Sequence, residues 1–382
     1  MALRASLPDM TSIHRGVFVR YSSRLTAVAA AGLAAAALGA CGSSSSGGAS
    51  GGGSSTTVNG AGSTFAAPIY QQFGSTLKKQ GVTVNYNPVG SGDGVAELTA
   101  GTVDFAGSDP PMEDSEVAAA KSKQGQPPVH VPVALGAITV SYNLSGVKKG
   151  LKLDGPTIAD VFLGKVKKWN DPEIAKQNPG VKLPSSSITV VHRSDESGTT
   201  KGFTGWLSAV SPTWKSQVGS DKTVKWPTGT GAKGNDGVAA GVKQTDGAVG
   251  YVEQAYALQN NFTTADVKNK AGRYVAPSLS STTAAAQGLT VPSDLRFAID
   301  NPTNPKAYPI TSQTFLIVYK DPCKAGASKS VAQGLKKFLS YTLGEGQSVL
   351  SQLQYAKLPS NVLSKAKANV SSLTCNGKPI SG

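Results

Sequence analysis

Short apolar runs alternate with amphipathic segments along most of the chain. Runs rich in β-branched and aromatic residues predict strands, and apolar residues at helical spacing predict helices between them. The strand candidates are 82–86, 103–105, 138–142, 188–191, 248–252 and 314–319. The helix candidates are 66–79, 95–100, 115–123, 157–163, 200–209, 238–244 and 332–343. This alternation from Val58 onward predicts an α/β fold.

The first 40 residues have the features of an export signal. An apolar run over 25–38 follows a basic segment and is about 14 residues long, shorter than the roughly 20 that a membrane-spanning helix needs. The charged residues before the run are Arg4, Asp9, Arg15, Arg20 and Arg24. The run ends in Leu38-Gly39-Ala40-Cys41, which resembles a bacterial lipobox. We predict a lipoprotein signal peptide over 1–40 and lipidation of Cys41, which anchors the protein to the outer face of the cell membrane; the alternative is a signal peptide that ends in a chance cysteine.

Composition narrows the function classes. The 382 residues include 37 Lys and Arg against 23 Asp and Glu, a net charge of +14, and removal of 1–40 leaves +11. Lysine pairs are scattered and no nucleic-acid motif occurs, so we predict no nucleic-acid partner. The hydrophobic fraction of 39% is enough to bury a core. Three His and three Cys leave little material for a metal cluster, and we predict neither a metal nor a cofactor.

Glycine and serine make up nearly all of residues 42–57. We predict that 41–57 is the lipidated cysteine followed by a flexible tether with a reach of about 20 Å. Cys323 and Cys375 then remain as an even pair outside the cytoplasm, where oxidation is the default. We predict one disulfide between them, with two free buried thiols as the alternative.

Four loops between predicted strands and helices share a composition of glycine and hydroxyl residues. Glycine lets the backbone approach a ligand, Ser and Thr cap the following helix, and the first N–H groups of that helix form an anion site. A single loop of this kind is usually an ordinary turn. The loops are Gly60-Ala61-Gly62-Ser63-Thr64, Gly90-Ser91-Gly92-Asp93-Gly94, Gly107-Ser108-Asp109 and Ser194-Asp195-Glu196-Ser197-Gly198-Thr199. Arg193 precedes the last loop, so a guanidinium joins its hydroxyls, and this combination predicts an oxyanion ligand.

The acids in these loops call for a separate interpretation. A carboxylate at Asp109 accepts a hydrogen bond only from an anion that carries a proton, so it would favour hydrogen phosphate over sulfate. The alternative is that Asp109 caps the helix after Pro110-Pro111. Asp195 either orients the Arg193 guanidinium or is a solvated loop acid. We expect Glu196 to face solvent.

At these residues the chain resembles the phosphate-binding lipoproteins of bacterial phosphate-specific ABC importers. The resemblance implies a two-lobe periplasmic-binding-protein fold of type II, in which each lobe is a mixed sheet flanked by helices and two strands form the hinge. Lobe I would be 58–134 plus 311–382, and lobe II would be 135–310. Further matching segments are Thr102 through Asp109, Lys225-Trp226-Pro227, Gly231 through Gly237, Gly250-Tyr251-Val252-Glu253 and Tyr308-Pro309-Ile310-Thr311.

The resemblance also implies the ligand contacts and the partners. The two lobes would close on one dehydrated phosphate, with Asp109 as proton acceptor and Asp195 bracing Arg193. The phosphate contacts carried over from the family are Thr64, Phe65, Ser91, Asp109, Arg193, Ser197, Gly198 and Thr199. The implied partners are the transmembrane permease subunits and their cytoplasmic ATPase, and the protein itself would be a monomer. One departure is Gly92-Asp93, where an extra acid would weaken binding if it faced the cleft.

Two other functions compete with phosphate capture. A binding protein for another tetrahedral oxyanion, sulfate or molybdate, does not explain Asp109. A secreted phosphoester hydrolase is suggested by Ser197 near His192 and Asp195. Three such residues within six positions of one strand and loop do not easily converge as a relay, so we predict that the protein is not an enzyme.

Overall fold

The computed structural model describes residues 55–147 and 150–381. The expected signal peptide, Cys41 and most of the expected tether lie outside these residues. Thr56 and Thr57, which the sequence analysis assigned to the tether, begin the first strand. Within the described ranges, no helix is both long and apolar enough to cross a membrane.

Strands and helices alternate from Thr56 to the C-terminal segment. The strands are β1 (Thr56–Gly62), β2 (Val82–Asn87), β3 (Phe105–Ser108), β4 (Pro128–Asn143), β5 (Lys152–Leu153), β6 (Thr189–Arg193), β7 (Thr230–Ala232), β8 (Ala248–Glu253), β9 (Thr263–Thr264), β10 (Asp266–Lys268), β11 (Tyr274–Val275), β12 (Thr311–Tyr319), β13 (Thr374–Cys375) and β14 (Lys378–Pro379). The helices are α1 (Ala67–Lys78), α2 (Ser91–Ala100), α3 (Asp114–Gln124), α4 (Gly155–Phe162), α5 (Pro172–Ala175), α6 (Gly198–Val210), α7 (Pro212–Gln217), α8 (Gly234–Gln244), α9 (Gln254–Gln259), α10 (Leu279–Ala285), α11 (Lys329–Leu343), α12 (Gly346–Val349) and α13 (Ser360–Ser371). The α/β prediction is confirmed.

A mixed sheet joins the two halves of the molecule. Its strand order is β2-β1-β3-β12-β4-β8-β6-β7, with β9 also paired to β4. The strands β1, β2 and β3 are parallel to one another, as are β6, β7 and β8. The 16-residue strand β4 pairs with β12 through its first part and with β8 through its second part. Strands β4 and β12 therefore lie between the two sets of parallel strands.

Apolar side chains fix this arrangement. All nine residues of β12 are buried, as expected for a strand covered on both faces. Helix α1 buries Ile69, Tyr70, Phe73 and Leu77, which lie on one face at helical spacing. Each large side chain buried in this way contributes roughly 1.5–3 kcal/mol. Packing against the sheet therefore holds the loops that follow β1, β3 and β6 at fixed positions.

A disulfide links Cys323 to Cys375, as predicted, across a sequence separation of 52 residues. The chain-entropy model assigns a loop of this length about 4 kcal/mol. Beside the disulfide, the Asp321 carboxylate accepts hydrogen bonds from the Asn376 and Gly377 N–H groups at 2.9 and 2.8 Å. The C-terminal segment is therefore held to the end of β12 by a covalent bond and by a buried carboxylate.

Most of the predicted elements are present, but several begin earlier in the chain than predicted. The predictions at 82–86, 188–191, 248–252 and 115–123 match observed elements to within one or two residues. Strand β4 begins ten residues before the predicted start at 138, and β3 is shifted towards the C-terminus from 103–105. Helices α2 and α8 each begin four residues before the predicted start. The prediction missed their first turns because these are rich in glycine and lack apolar periodicity.

Candidate functional site

The glycine and hydroxyl loops converge from both halves of the sheet. The turn between β6 and α6 meets Ser91 at the start of α2 and Asp109 after β3. A Cβ on Gly198 would lie 2.4 Å from the Ser91 Oγ and 2.5 Å from the Asp109 Oδ2. Only glycine permits this approach. The N-terminus of α6 therefore lies directly against the Asp109 carboxyl group.

Hydroxyl groups surround the carboxyl group of Asp109, which is 1% exposed. Ser63 Oγ donates to Oδ1 at 2.6 Å and Thr314 Oγ1 donates to the same oxygen at 2.9 Å. The Ser91 Oγ lies farther from Oδ2, at 3.5 Å. Burial raises the pKa of Asp109 to about 6, although these hydroxyls and the charge of Arg193 act to lower it. Oδ1 thus accepts two short hydrogen bonds from hydroxyl groups, whereas Oδ2 has only the long contact to Ser91 among the described hydroxyls.

The alternative role of Asp109 as a helix cap is wrong. The N-cap of α3 is Glu113, four residues later, and its main-chain N–H donates to the Glu116 carboxylate at 2.8 Å in a capping box. The main-chain carbonyl of Asp109 accepts instead from the Gln313 side-chain amide of β12, at 2.8 Å. Asp109 is therefore held by strand β12 rather than by the following helix.

The Arg193 guanidinium is buried at the end of β6 and pairs with Asp195. Its Nε donates to Asp195 Oδ1 at 2.7 Å, and its Nη2 also contacts Asp195 Oδ2. The Nη1 donates to Thr199 Oγ1 at 3.3 Å. Burial acts to raise the pKa of Asp195, but the hydrogen bonds and charge of Arg193 and the Gly234 N–H together lower it. Asp195 is therefore an ionised partner that orients the guanidinium.

Two pairs of main-chain N–H groups at the site have no acceptor within the described ranges. They belong to Thr64 and Phe65 after β1 and to Gly198 and Thr199 at the start of α6. All four residues are buried. The Ser197 side chain caps α6 by accepting from the Thr200 N–H at 3.0 Å. Because a buried N–H without an acceptor is costly, these donors are suited to an anionic ligand.

Asn235, which lies in the matching segment 231–237, connects the loop after β1 to the N-terminus of α6. Its side-chain Nδ2 donates to Thr64 Oγ1 at 2.8 Å and to Thr199 Oγ1 at 3.1 Å. Its Oδ1 accepts from the Glu253 N–H at 2.9 Å. The sequence signal for Asn235 was limited to a glycine before a polar residue at the start of a helix, Gly234-Asn235. Ser63 and Thr314 were also missed as partners of Asp109.

The remaining polar candidates lie away from this constellation. The His192 Nδ1–H donates to the Arg193 carbonyl at 3.0 Å, and its ring stacks on Trp226 with 4.7 Å between the centroids. His192 therefore makes no relay with Ser197. Asp93 and Glu196 are exposed. In the part of the chain that the structure describes, no group of three or more His, Cys, Asp or Glu is placed to hold a metal ion.

Known proteins resemble this chain in both sequence and fold. Residues 47–345 match the family model described as a PBP superfamily domain. The phosphate-binding protein PstS of Pasteurella multocida is 42% identical over 316 residues, which cover 82% of this chain and 89% of that protein. PstS of Haemophilus influenzae is 41% identical over 316 residues, covering 82% and 92%. The solved structure of a high affinity periplasmic phosphate-binding protein (PfluDING) bound with phosphate has a TM-score of 0.67 at 24% identity, covering 85% of this chain and 96% of that one.

The shared sheet and the converging loops define a two-lobe substrate-binding protein. Within that class, the identity to the curated relatives is above 40% over most of both chains. The chain belongs to the PstS family of phosphate-binding proteins.

Proposed function

We propose that the protein captures inorganic phosphate between its two lobes and delivers it to the permease of an ABC importer. The observation that carries this proposal is the Asp109 carboxyl group against the N-terminus of α6. A helix N-terminus and the Arg193 guanidinium favour an anion, whereas a carboxylate repels one unless a proton lies between them. Hydrogen phosphate supplies that proton and sulfate does not, so the site selects phosphate.

The proposed contacts follow from which protons are available. Thr64 Oγ1 accepts from the Asn235 N–H and side chain, Thr199 Oγ1 accepts from Arg193 and Asn235, and Ser197 Oγ accepts from a main-chain N–H. Each hydroxyl therefore has its own proton free to donate to an oxyanion. The ligand set is completed by the N–H groups of Thr64, Phe65, Gly198 and Thr199, the Ser91 hydroxyl and the Arg193 guanidinium. Asp109 accepts the proton of the phosphate.

Closure of the two lobes, 58–134 plus 311–382 and 135–310, couples binding to transport. Hydrogen bonds and ion pairs join these segments. For example, the Gly92 N–H donates a hydrogen bond to the Glu196 carbonyl at 3.0 Å, and Lys201 Nζ forms an ion pair with Glu113 Oε1 at 3.2 Å. A ligand that binds both lobes stabilises the closed form by its differential affinity for the two forms. The closed form is then the one that the permease recognises.

We also propose that the mature protein is a monomer held on the outer face of the membrane by a lipid on Cys41. The export signal and the lipobox resemblance support this localisation. One thioether-linked diacylglycerol supplies two acyl chains, which is enough for stable anchoring. Cys41→Ala should move the protein from the membrane fraction to the soluble fraction with phosphate affinity unchanged. Retention of the variant in membranes would refute the anchor.

Calorimetry on the mature chain tests the ligand. Phosphate should bind at one site, and sulfate or molybdate at the same concentrations should give no measurable heat of binding. Equal binding of sulfate would show a general oxyanion site and contradict the role of Asp109. Incubation with a chromogenic phosphomonoester tests the hydrolase alternative, and we expect no release of phosphate.

A further inference from the structure

Glu253, the last residue of β8, is a buried acid behind the proposed phosphate site. It is 0% exposed, and none of the described Lys or Arg residues forms an ion pair with it. Its Oε2 accepts from the Ala255 N–H at 2.7 Å and lies 2.9 Å from the Tyr355 hydroxyl oxygen. Its Oε1 has no hydrogen-bond partner among the described residues. No step of phosphate binding described above uses this carboxyl group.

The hydrogen bonds of Tyr355 determine where the proton lies. The Tyr355 hydroxyl oxygen is 2.6 Å from the Phe65 carbonyl oxygen. A carbonyl only accepts, so the single proton of the phenol lies in that shorter contact. The 2.9 Å contact between Tyr355 and Glu253 then requires a proton from the Glu253 side. We propose that Glu253 is a protonated carboxylic acid, a positioning residue that donates to Tyr355 and so holds the Thr64-Phe65 turn.

The surroundings of Glu253 favour the neutral acid. Leaving a carboxylate oxygen without a donor in the interior costs far more than leaving a neutral carbonyl oxygen there. Burial raises the pKa of Glu253 well above its ordinary value, although the N–H groups of Ala255 and Gln254 act to lower it; the charge of Asp109 adds to the rise. The other titratable groups that face it are the phenols of Tyr355 and Tyr256.

This role rests on the proposed function, because it concerns the turn that supplies phosphate contacts. Glu253 lies in the 135–310 lobe, whereas Tyr355 and Phe65 lie in the other. Tyr256, also in the 135–310 lobe, donates to the Thr64 carbonyl at 2.7 Å. The carbonyls of Thr64 and Phe65 therefore each accept a hydrogen bond from a tyrosine hydroxyl. The Thr64 carbonyl and the Phe65 N–H belong to the same peptide group, so the Tyr256 hydrogen bond fixes the direction of that N–H. The Tyr355 hydrogen bond holds the next peptide group, whose Ala66 N–H donates to Ser63 Oγ at 3.3 Å. An ionised Glu253 would break the hydrogen-bond relay from Glu253 through Tyr355 to the Phe65 carbonyl, and it would add a negative charge beside an anion site.

Infrared difference spectroscopy of the mature chain tests the protonation state directly. The spectrum of the wild type minus that of Glu253→Gln, at pH 8, should contain the C=O band of a protonated carboxylic acid. Asp109→Asn is the matched control, and its difference spectrum at the same pH should show an ionised carboxylate. A carboxylate band in the Glu253 difference spectrum would overturn the proposal. This measurement needs no phosphate, so it remains decisive even if the wild type fails to bind phosphate and the proposed function is wrong.

Affinity then tests the positioning role. Glu253→Gln keeps a donor towards Tyr355, and phosphate Kd should stay within about threefold of the wild type. Glu253→Leu and Tyr355→Phe remove the relay and should weaken binding about tenfold. Equal losses in Glu253→Gln and Glu253→Leu would overturn the role as a donor. The glutamine variant retains the volume of the side chain; where the leucine variant fails to fold, Tyr355→Phe takes its place in the comparison with Glu253→Gln.

Discussion

Asp109 and Asp195 are two carboxyl groups of the same site with opposite pKa shifts. Asp195 pairs with Arg193, and its pKa is lowered despite partial burial. Asp109 makes no ion pair within the described ranges, and burial raises its pKa to about 6. The difference shows that the neighbouring donors, rather than the residue type, decide what a carboxyl group does. Arg193 occupies the oxygens of Asp195, whereas hydroxyls occupy one oxygen of Asp109 and leave the other for a ligand.

Loss of the guanidinium should have the largest effect on binding. Arg193→Ala removes the charge that faces the anion and leaves Asp195 buried without its partner, so phosphate affinity should fall about a thousandfold. Arg193→Lys should recover only part of this loss because an ammonium cannot replace the planar fork. Titration calorimetry measures both variants, with the exposed Arg273→Ala as the matched control. An alanine variant within about twofold of the wild type would place the site elsewhere.

Removal of the Asp109 charge should change selectivity rather than abolish binding. Asp109→Asn replaces an acceptor by an amide that also donates, so sulfate affinity should rise at least about a hundredfold. Phosphate affinity should fall about tenfold. Competition calorimetry with both anions measures the change in selectivity between sulfate and phosphate. The control is Asp93→Asn, which changes an exposed acid. If Asp109→Asn excludes sulfate as fully as the wild type, another residue sets the selectivity.

Asp195→Asn should separate the two acids. The amide cannot hold the guanidinium by two charge-assisted hydrogen bonds, so we expect phosphate affinity to fall about tenfold. Sulfate should remain excluded because Asp109 is unchanged. Parallel titrations of the Asp109 and Asp195 variants with both anions give the comparison. Admission of sulfate by Asp195→Asn would show that the two carboxyl groups do not have separate roles.

The sequence predicted the local parts of this comparison. Glycine and hydroxyl residues before a helix indicate an anion site because the reason is contained in one turn, and Asp109 and Arg193 were found in this way. Strands such as β8 were predicted because their apolar residues are contiguous. The first turns of α2 and α8 were missed because glycine carries no periodic signal.

The partners of the site residues were not predictable in the same way. Thr314 lies 205 positions from Asp109 along the chain, and Asn235 lies 171 positions from Thr64. No spacing rule relates such residues, since only the order of strands in the sheet brings them together. The orientation of Asp195 towards Arg193 also stayed open at the level of the sequence. The two residues are close neighbours, but the Gly234 N–H that holds Asp195 Oδ1 lies 39 positions away.

The smallest expected effect concerns Ser63, and it follows from the pH dependence of Asp109. A protonated Asp109 donates to an anion, so sulfate affinity in the wild type should rise as the pH falls through about 6. Sulfate does not titrate in this range, and the change therefore reports the protein. The Ser63 hydrogen bond stabilises the ionised form and lowers the pKa of Asp109.

Ser63→Ala removes this donor at 2.6 Å from Oδ1, while the Thr314 hydroxyl remains. The pKa of Asp109 should therefore rise further, and the onset of sulfate binding should move to higher pH by about half a unit, which is about threefold in sulfate affinity at fixed pH. Calorimetric sulfate titrations between about pH 5 and 8 locate the midpoint, with Ser75→Ala, an exposed serine on α1, as the control. An unchanged midpoint would mean that Ser63 positions the carboxyl group without tuning its ionisation. A shift to lower pH would reverse the assigned direction of the hydrogen bond, because only a donor to the ionised carboxylate holds its pKa down.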